Sequence, residues 1–315
     1  MISFKEFTRS GRLGNQLFQY AFLRTMARKL KTSFYCPKWI GDEVFDLDDK
    51  GERASELINI SKEHVEPELH CGFNKEVFSI TDGTNIKGYF QSEKYFDAVQ
   101  VKKWYTFKEA AIVRVKDKYK EIDFSQCVGM HIRFGDFEYN SRVYIPRIFY
   151  YKKALSLVNN KKHIITFSDE IKKAERYFHG IAKDLIYIYG NEPYEDLYLM
   201  TQCRDFIGSC STLSWWGAWL NCYKGHIIVM PKYFFRPGLV NNSNDIQCGG
   251  CISLRACLMF IDDYNVVVFR RKIRKSISKL LDHTPGIKRY IKEFISNLNA
   301  SKNAFDENRS DKDVK

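Results

Sequence analysis

The chain is expected to be an α/β protein built on parallel β-sheet, and three observations carry that expectation. Residues 2–7 alternate apolar and polar side chains, pass through a glycine-bearing turn and enter a helical pattern. From Cys127 onward, apolar runs return about every twenty residues with a helix-patterned stretch in each gap, as parallel strands joined by crossover helices do. Hydrophobic residues make up 44% of the 315 and aromatics 15%, enough for a sizeable core and too many for a disordered chain.

Taken in order, the alternating segment at 2–7 is a half-buried strand. It leads into Ser10-Gly11-Arg12-Leu13-Gly14-Asn15-Gln16, and then residues 17–30 repeat Phe18, Phe22, Met26 and Leu30 at helical spacing with basic residues in the last turns. The turn is not the GxGxxG of dinucleotide-binding proteins. Its two glycines still let the backbone approach a ligand, and the helix start that follows favours negative charge. Residues 36–85 read as less regular. Asp46-Leu47-Asp48 there is a DxD, which we read as a solvated turn and not as a metal site. Residues 88–96 form an aromatic run, explained equally by core packing or ligand stacking. Strands are then expected at 127–133, 163–168, 185–189, 205–208 and 226–230, with helices near 148–160, 170–179, 193–203 and 213–223. After Arg270 two basic amphipathic stripes follow, Ile273, Ile277, Leu280, Leu281 and then Ile287, Tyr290, Ile291, Phe294, Ile295, Leu298. We expect the second to pack on the body and the first to touch an anionic membrane surface, giving a peripheral contact through 270–298.

Charge and cysteine usage narrow the class. Of the formal net charge of +12, residues 270–315 carry 13 basic and 6 acidic side chains, so basicity belongs mainly to the tail. A basic nucleotide- or RNA-binding protein would want that charge on the folded body, which disfavours this reading without removing it. No run reaches the ~18 apolar residues of a membrane span, and the N-terminus lacks the apolar region of a signal peptide, so a cytoplasmic protein is expected. The nine cysteines have no framework spacing, and free thiols are the default. Cys248-Gly249-Gly250-Cys251 is a CxxC without a second ligand pair, so no metal is assigned to it.

Four segments fall at strand ends or helix starts of this pattern: 11–16, 131–136, 168–170 and 209–216. Each alone has a plain structural explanation, such as a helix cap at Asp169 or Ser214, or an ordinary ion pair between Arg133 and Asp136. Together they describe a cleft holding a guanidinium, hydroxyls and helix N-termini suited to phosphates, with a carboxylate able to read a base edge.

The motifs Gly-Arg-Leu-Gly-Asn-Gln-Leu-Phe-Gln-Tyr-Ala (11–21), Gly-Tyr-Phe-Gln-Ser-x-Lys-Tyr-Phe (88–96), His-Ile-Arg-x-Gly-Asp (131–136), Phe-Ser-Asp (167–169) and Ser-Trp-Trp-Gly-Ala-Trp-Leu-Asn (214–221) resemble glycosyltransferase family 11, the α-1,2-fucosyltransferases, over roughly residues 1–235. The resemblance implies a GT-B fold of two Rossmann-like domains facing across a cleft. It divides the body into an acceptor-side domain at 1–124 and a GDP-fucose-binding domain at 125–269; the basic helical tail at 270–315, read from its own charge and spacing, is not covered by it. It also implies inverting transfer of L-fucose from GDP-fucose to the 2-hydroxyl of a galactose, on a bacterial surface-glycan precursor, with no metal or other cofactor. Arg133 and Asp136 are then the catalytic pair, Arg133 at the leaving diphosphate and Asp136 the leading candidate for the base, with Glu138 behind it. Gly14, Asn15, Gln16, His131, Arg133, Asp169, Ser211 and Ser214 would hold the donor. A fucosyltransferase-like enzyme of another linkage or donor is the alternative within the class. Where the family has a second arginine, this chain has Phe134. Neighbours on a strand point to opposite faces, so Phe134 is expected to face away from Arg133, and arginine restored there to raise donor affinity or leave it unchanged.

Overall fold

The computed structural model describes residues 1–255, except 10, 59, 68–71, 159–162, 183 and 237–242. The tail stripes and the proposed tail domain lie outside the described residues.

Two parallel sheets form the frame. The first holds β1 (Ile2–Ser3), β2 (Phe34–Tyr35), β3 (Lys62–Val65) and β4 (Thr84–Lys87) in the order β2-β1-β4-β3, every pairing parallel. The second holds β5 (Cys127–Ile132), β6 (His163–Ser168), β7 (Leu185–Tyr187), β8 (Asp205–Ile207), β9 (Ile228–Pro231) and β10 (Ile252–Leu254) in the order β10-β9-β8-β5-β6-β7, again all parallel. This is the doubly wound order of a Rossmann sheet, and it reverses direction between β5 and β8. The first sheet reverses between β1 and β4. Among the described residues eight α-helices accompany the strands: α1 (Leu13–Leu30), α2 (Gly41–Val44), α3 (Ala98–Trp104), α4 (Glu109–Lys118), α5 (Ile148–Leu155), α6 (Ile171–Phe178), α7 (Pro193–Gln202) and α8 (Thr212–Trp219).

The strands and helices expected after residue 127 are present, within a few residues at their ends. The first sheet was harder to foresee. Its strands are two to four residues long, and Lys62-Glu63-His64-Val65 presents mostly exposed polar side chains, so no apolar alternation marks it. In the DxD loop Asp46 and Asp48 are exposed, as in a solvated turn, and the backbone around them is held from below. Arg24, fully buried, donates from Nη2 to the Asp48 carbonyl at 2.7 Å and from Nε to Glu52 at 2.9 Å, and Tyr20 donates to Asp49 at 2.9 Å.

Alternation along β5 aims the chemistry. Val128, Met130, Ile132 and then Phe134 pack into a core with Tyr150, Tyr151 and Phe178 on one face of the second sheet. Cys127 belongs to the other core, and His131 and Arg133 share its parity along the strand. Phe134 accordingly points away from Arg133. It is 4% exposed, edge-on to Tyr177 at 5.7 Å and capped by the Lys173 ammonium at 4.9 Å. Arginine at 134 would enter this packed layer and not the cavity, so of the two expected outcomes the packing favours unchanged donor affinity.

An aromatic cluster joins the two halves. Phe18 of α1 meets Trp215 and Trp216 of α8 at 4.5 and 4.7 Å, and Phe96 stacks on Trp216 at 5.7 Å. Trp215 and Trp216 are fully buried, as core tryptophans should be.

Candidate active site

Open parallel sheets bind ligands where strand order reverses, just beyond the carboxyl ends of the strands. Both reversals in this protein open onto one cavity of about 980 Å³, at the upper end for a small-molecule site. The first sheet contributes the loop after β1, including Gly11, Gly14 and Asn15, and the residues after β3 and β4, including Glu66, Gly88, Tyr89 and Gln91. The second contributes His131, Arg133 and Asp136 after β5, Ser168 and Asp169 after β6, Asn191 and Asp196 after β7, and Ser211 and Thr212 after β8.

At the end of β5, the Arg133 guanidinium is held between two carboxylates, bonding Asp169 Oδ2 from Nη1 at 2.9 Å and Asp136 from Nη2. Its side chain is 13% exposed, and Nε is buried with no hydrogen-bond partner among the described residues. An uncompensated donor of this kind costs about 1–3 kcal/mol, so it points to a site completed by a ligand. The other oxygen of Asp169 accepts from the Phe134 N–H at 3.0 Å. Gly135 has φ +35°, and a Cβ there would run into Asp169, which explains glycine in the His-Ile-Arg-x-Gly-Asp motif. Asp136 is 57% exposed and lies 3.8 Å from Arg12. Glu138, the reserve base of the sequence reading, is paired with Lys173 at 2.5 Å.

His131 lies beneath, 4% exposed, with Nδ1 3.2 Å from Ser209 Oγ. Burial, reinforced by the Arg133 charge, pushes its pKa down to about 3. It is a neutral imidazole at working pH, able to hydrogen-bond a ligand without adding charge.

The helix starts meet across the cavity floor. A Cβ at Gly14 would fall 2.5 Å from the Leu213 N and 2.6 Å from Thr212 Oγ1, so only glycine lets α1 and α8 approach this closely. Trp216 Nε1 fixes the contact by donating to the Gly14 carbonyl at 2.9 Å. The residues preceding the two helices, Arg12 and Ser211, cap neither with a side chain, leaving first-turn N–H donors for an anion. Asn15 Oδ1 accepts from Gln91 Nε2 at 2.8 Å, tying the first motif to the aromatic-run motif.

The structure therefore brings Gly14, Asn15, His131, Arg133, Asp136, Asp169 and Ser211 to one cavity. Gln16 and Ser214 do not line it. Gln16 donates to the Gly11 carbonyl at 3.2 Å, and Ser214, fully buried, accepts from the Ser209 N–H at 2.9 Å. Their recorded hydrogen bonds are to the loop backbone, so both brace the turns that carry the cavity residues. The aromatic run divides: Phe90, Tyr95 and Phe96 are core, while Gly88, Tyr89 and Gln91 face the cavity.

Two carboxylates of the wall escaped the sequence reading. Asp196, in the first turn of α7, accepts from Asn191 Nδ2 at 2.9 Å, and burial raises its pKa to about 6. In sequence it looks like an acidic helix start and nothing more. Glu66 follows the charged strand β3, where no pattern announces it. Cys248 and Cys251 are free thiols, and Cys248 is buried. Among the described residues, no group of three His, Cys, Asp or Glu side chains comes together as metal ligands, and no helix is long and apolar enough to cross a membrane.

Comparison with known proteins follows the same outline. WbnK, an O-antigen biosynthesis glycosyltransferase of Escherichia coli, is 27% identical over 306 residues, spanning 78% of this chain and 98% of that protein. An alpha-1,2-colitosyltransferase of Escherichia coli is 27% identical over 273 residues, spanning 74% and 93% respectively. Among solved structures, POFUT1 in complex with GDP matches with a TM-score of 0.50 at 11% identity, covering 73% of this chain and 97% of that one, a likeness of fold alone. The paired Rossmann-like sheets are the GT-B arrangement. The sequence profile described as Glycosyl transferase family 11 matches residues 3–237, so the chain belongs to that family and is a glycosyltransferase.

Proposed function

We propose that the protein transfers L-fucose, with inversion and without a metal, from GDP-fucose to the 2-hydroxyl of a galactose residue in a bacterial surface-glycan precursor. The observation that carries this reading is Arg133, a guanidinium with a buried unpartnered donor at the point where the Rossmann sheet reverses. Sugar transfer of this kind passes through an oxocarbenium-like state while negative charge grows on the departing diphosphate. Arg133 and the uncapped starts of α1 and α8 supply positive potential where that charge develops. Neutral His131, with Ser209 behind it, holds the donor without competing for the proton balance. Both Asp169 oxygens already serve Arg133 and the Phe134 N–H. Asp169 orients Arg133 from the cavity wall, and Asp196 is a second wall carboxylate able to read the N–H edge of guanine. The relatives' names, an O-antigen enzyme and an α-1,2-transferase, support the acceptor class and the linkage.

A second donor, GDP-colitose, is favoured by the colitosyltransferase relative. One experiment separates the readings: titrate GDP, GDP-fucose and ADP in the presence of a chelator, then screen galactosides with each donor and determine the product linkage. Guanosine preference and an α-1,2 product are expected with GDP-fucose. Equal affinity for ADP, or a demand for divalent metal, refutes the proposal. Faster transfer from GDP-colitose selects the second donor.

A further inference from the structure

The proposed reaction needs a group to accept the proton of the attacking hydroxyl, and the carboxylates near Arg133 are engaged elsewhere. Asp136 and Asp169 clamp the guanidinium, and Glu138 is paired with Lys173. An inverting displacement also sets direction. The leaving diphosphate sits with Arg133 at the second sheet, so the nucleophile must approach from the other side, the wall built by the first sheet.

Glu66 stands on that wall, immediately after β3, and is 9% exposed. Its Oε2 accepts two backbone hydrogen bonds, from Tyr89 N–H at 2.7 Å and Phe90 N–H at 3.1 Å. The backbone is bent to make them. Phe90 is a non-glycine residue with φ +50°, a sparsely populated conformation that persists only where packing enforces it. The enforcement is visible: Phe90 is fully buried and stacked on Phe22 at 3.9 Å. Gly88, at φ +157°, lies so close that a Cβ there would be 2.5 Å from the Glu66 Cβ. One oxygen is thus fixed, while Oε1 meets no donor among the described residues. The neighbouring cation, Lys87, is paired with Glu6 at 3.1 Å, and the nearby Tyr95 hydroxyl donates to the Gly72 carbonyl at 3.1 Å. Beside Glu66 at the cavity wall are Val65, 51% exposed, and Tyr89, 45% exposed, an apolar edge and an aromatic ring of the kind a sugar packs on.

We infer that Glu66 is the general base of the transfer and that Val65, Glu66 and Tyr89 form the acceptor subsite; this rests on the function proposed above. The acceptor O–H proton passes to Glu66 Oε1, and the oxygen lone pair forms the new bond to the anomeric carbon. The bond from that carbon to the β-phosphate oxygen breaks, its electron pair leaving with GDP. Protonated Glu66 then returns its proton to solvent. Burial raises the Glu66 pKa, partly offset by the two backbone N–H donors, which suits a group that must take up a proton and release it.

The test uses the full-length enzyme. Glu66→Gln keeps the size of the side chain and an acceptor for the Tyr89 and Phe90 N–H groups, so thermal stability and GDP affinity should stay within about twofold of wild type. Turnover should fall by ~10²–10⁴, the usual contribution of a positioned base. Wild-type kcat/KM should decline toward acid with an apparent pKa above the ordinary glutamate value, and the variant should lack that limb. In Glu66→Ala, added formate should bind the vacated N–H pair and restore part of the turnover, which a purely structural loss would not permit. Turnover within about tenfold of wild type in Glu66→Gln, an unchanged acid limb, or no acid limb in the wild type overturns the assignment. Loss of GDP affinity in Glu66→Gln also overturns it, by moving the residue to the donor side. Failure of the fucosyl reading itself registers separately, as wild-type enzyme that does not use GDP-fucose, and the variants can then be compared on whichever donor is active.

Discussion

Replacing Arg133 with alanine tests the donor half of the site. In the folded protein its guanidinium is fixed by Asp169 at 2.9 Å and by Asp136, with 13% of the side chain exposed. The substitution withdraws the cation expected to face the departing diphosphate. Loss of one preorganised donor to a developing oxyanion costs ~3–4 kcal/mol, or ~10²–10³ in turnover. It also leaves Asp136 and Asp169 at the same wall with no cation between them. A carboxylate ~6 Å from an anionic leaving group, at an effective dielectric of ~20, opposes it by roughly 3 kcal/mol. The two effects act in the same direction, so a loss of at least ~10³ is expected. The fold should survive, because Asp169 keeps its bond to the Phe134 N–H at 3.0 Å. Arg133→Lys restores charge without the planar fork and should fall between. The assay is steady-state transfer at saturating donor, with thermal unfolding measured alongside. A folded alanine variant within about tenfold of wild-type kcat would refute the role given to Arg133.

Three further outcomes follow from the same geometry. Gly14→Ala places a methyl 2.5 Å from the Leu213 N, so it should cost ~1–3 kcal/mol of stability and weaken GDP binding as α1 and α8 part; unchanged melting and affinity would show that the approach is not tight. Phe134→Arg buries a cation beside Lys173 in a layer where Phe134 is 4% exposed, and should destabilise by ~2–4 kcal/mol without improving GDP affinity; tighter GDP binding in a stable variant would contradict the packing argument. The unfolded chain protonates His131 near pH 6.5, the folded chain only at about pH 3, so unfolding takes up a proton between those values and stability falls as pH drops through the window. The slope is at most ~1.4 kcal/mol per pH unit. Denaturant unfolding at pH 7 and pH 5 should show a larger acid loss in wild type than in His131→Asn, and equal losses would dismiss the effect.

The second sheet was legible because burial on both faces writes itself into the chain. Cys127–Ile132 is buried at every position, and its apolar run could be read without coordinates. Beyond the strand expected at 2–7, of which β1 is the start, the first sheet hid because its strands are short and one of them is charged, leaving too little periodicity to detect. Motif residues behaved differently from one another for a local reason. Gly14 and Asn15 reach the cavity, whereas Gln16 and Ser214, equally prominent in their motifs, do not line it and instead bond the loop backbone.

The chain by itself determined that there are parallel α/β units, that glycine turns and helix starts recur at strand ends, and that Arg133 and Phe134 face opposite ways, since alternation on a strand is a local rule. Tertiary structure decided which of those ends share a cavity and which carboxylates are already spoken for. Asp136 and Asp169 look available in sequence and are taken by Arg133 in space, while Glu66 and Asp196 look ordinary and line the wall. The physical reason is that availability of a carboxylate depends on partners distant in sequence. The two N–H groups that pin Glu66 are 23 and 24 residues away and are set by the packing of Phe90 on Phe22, contacts with no local signature.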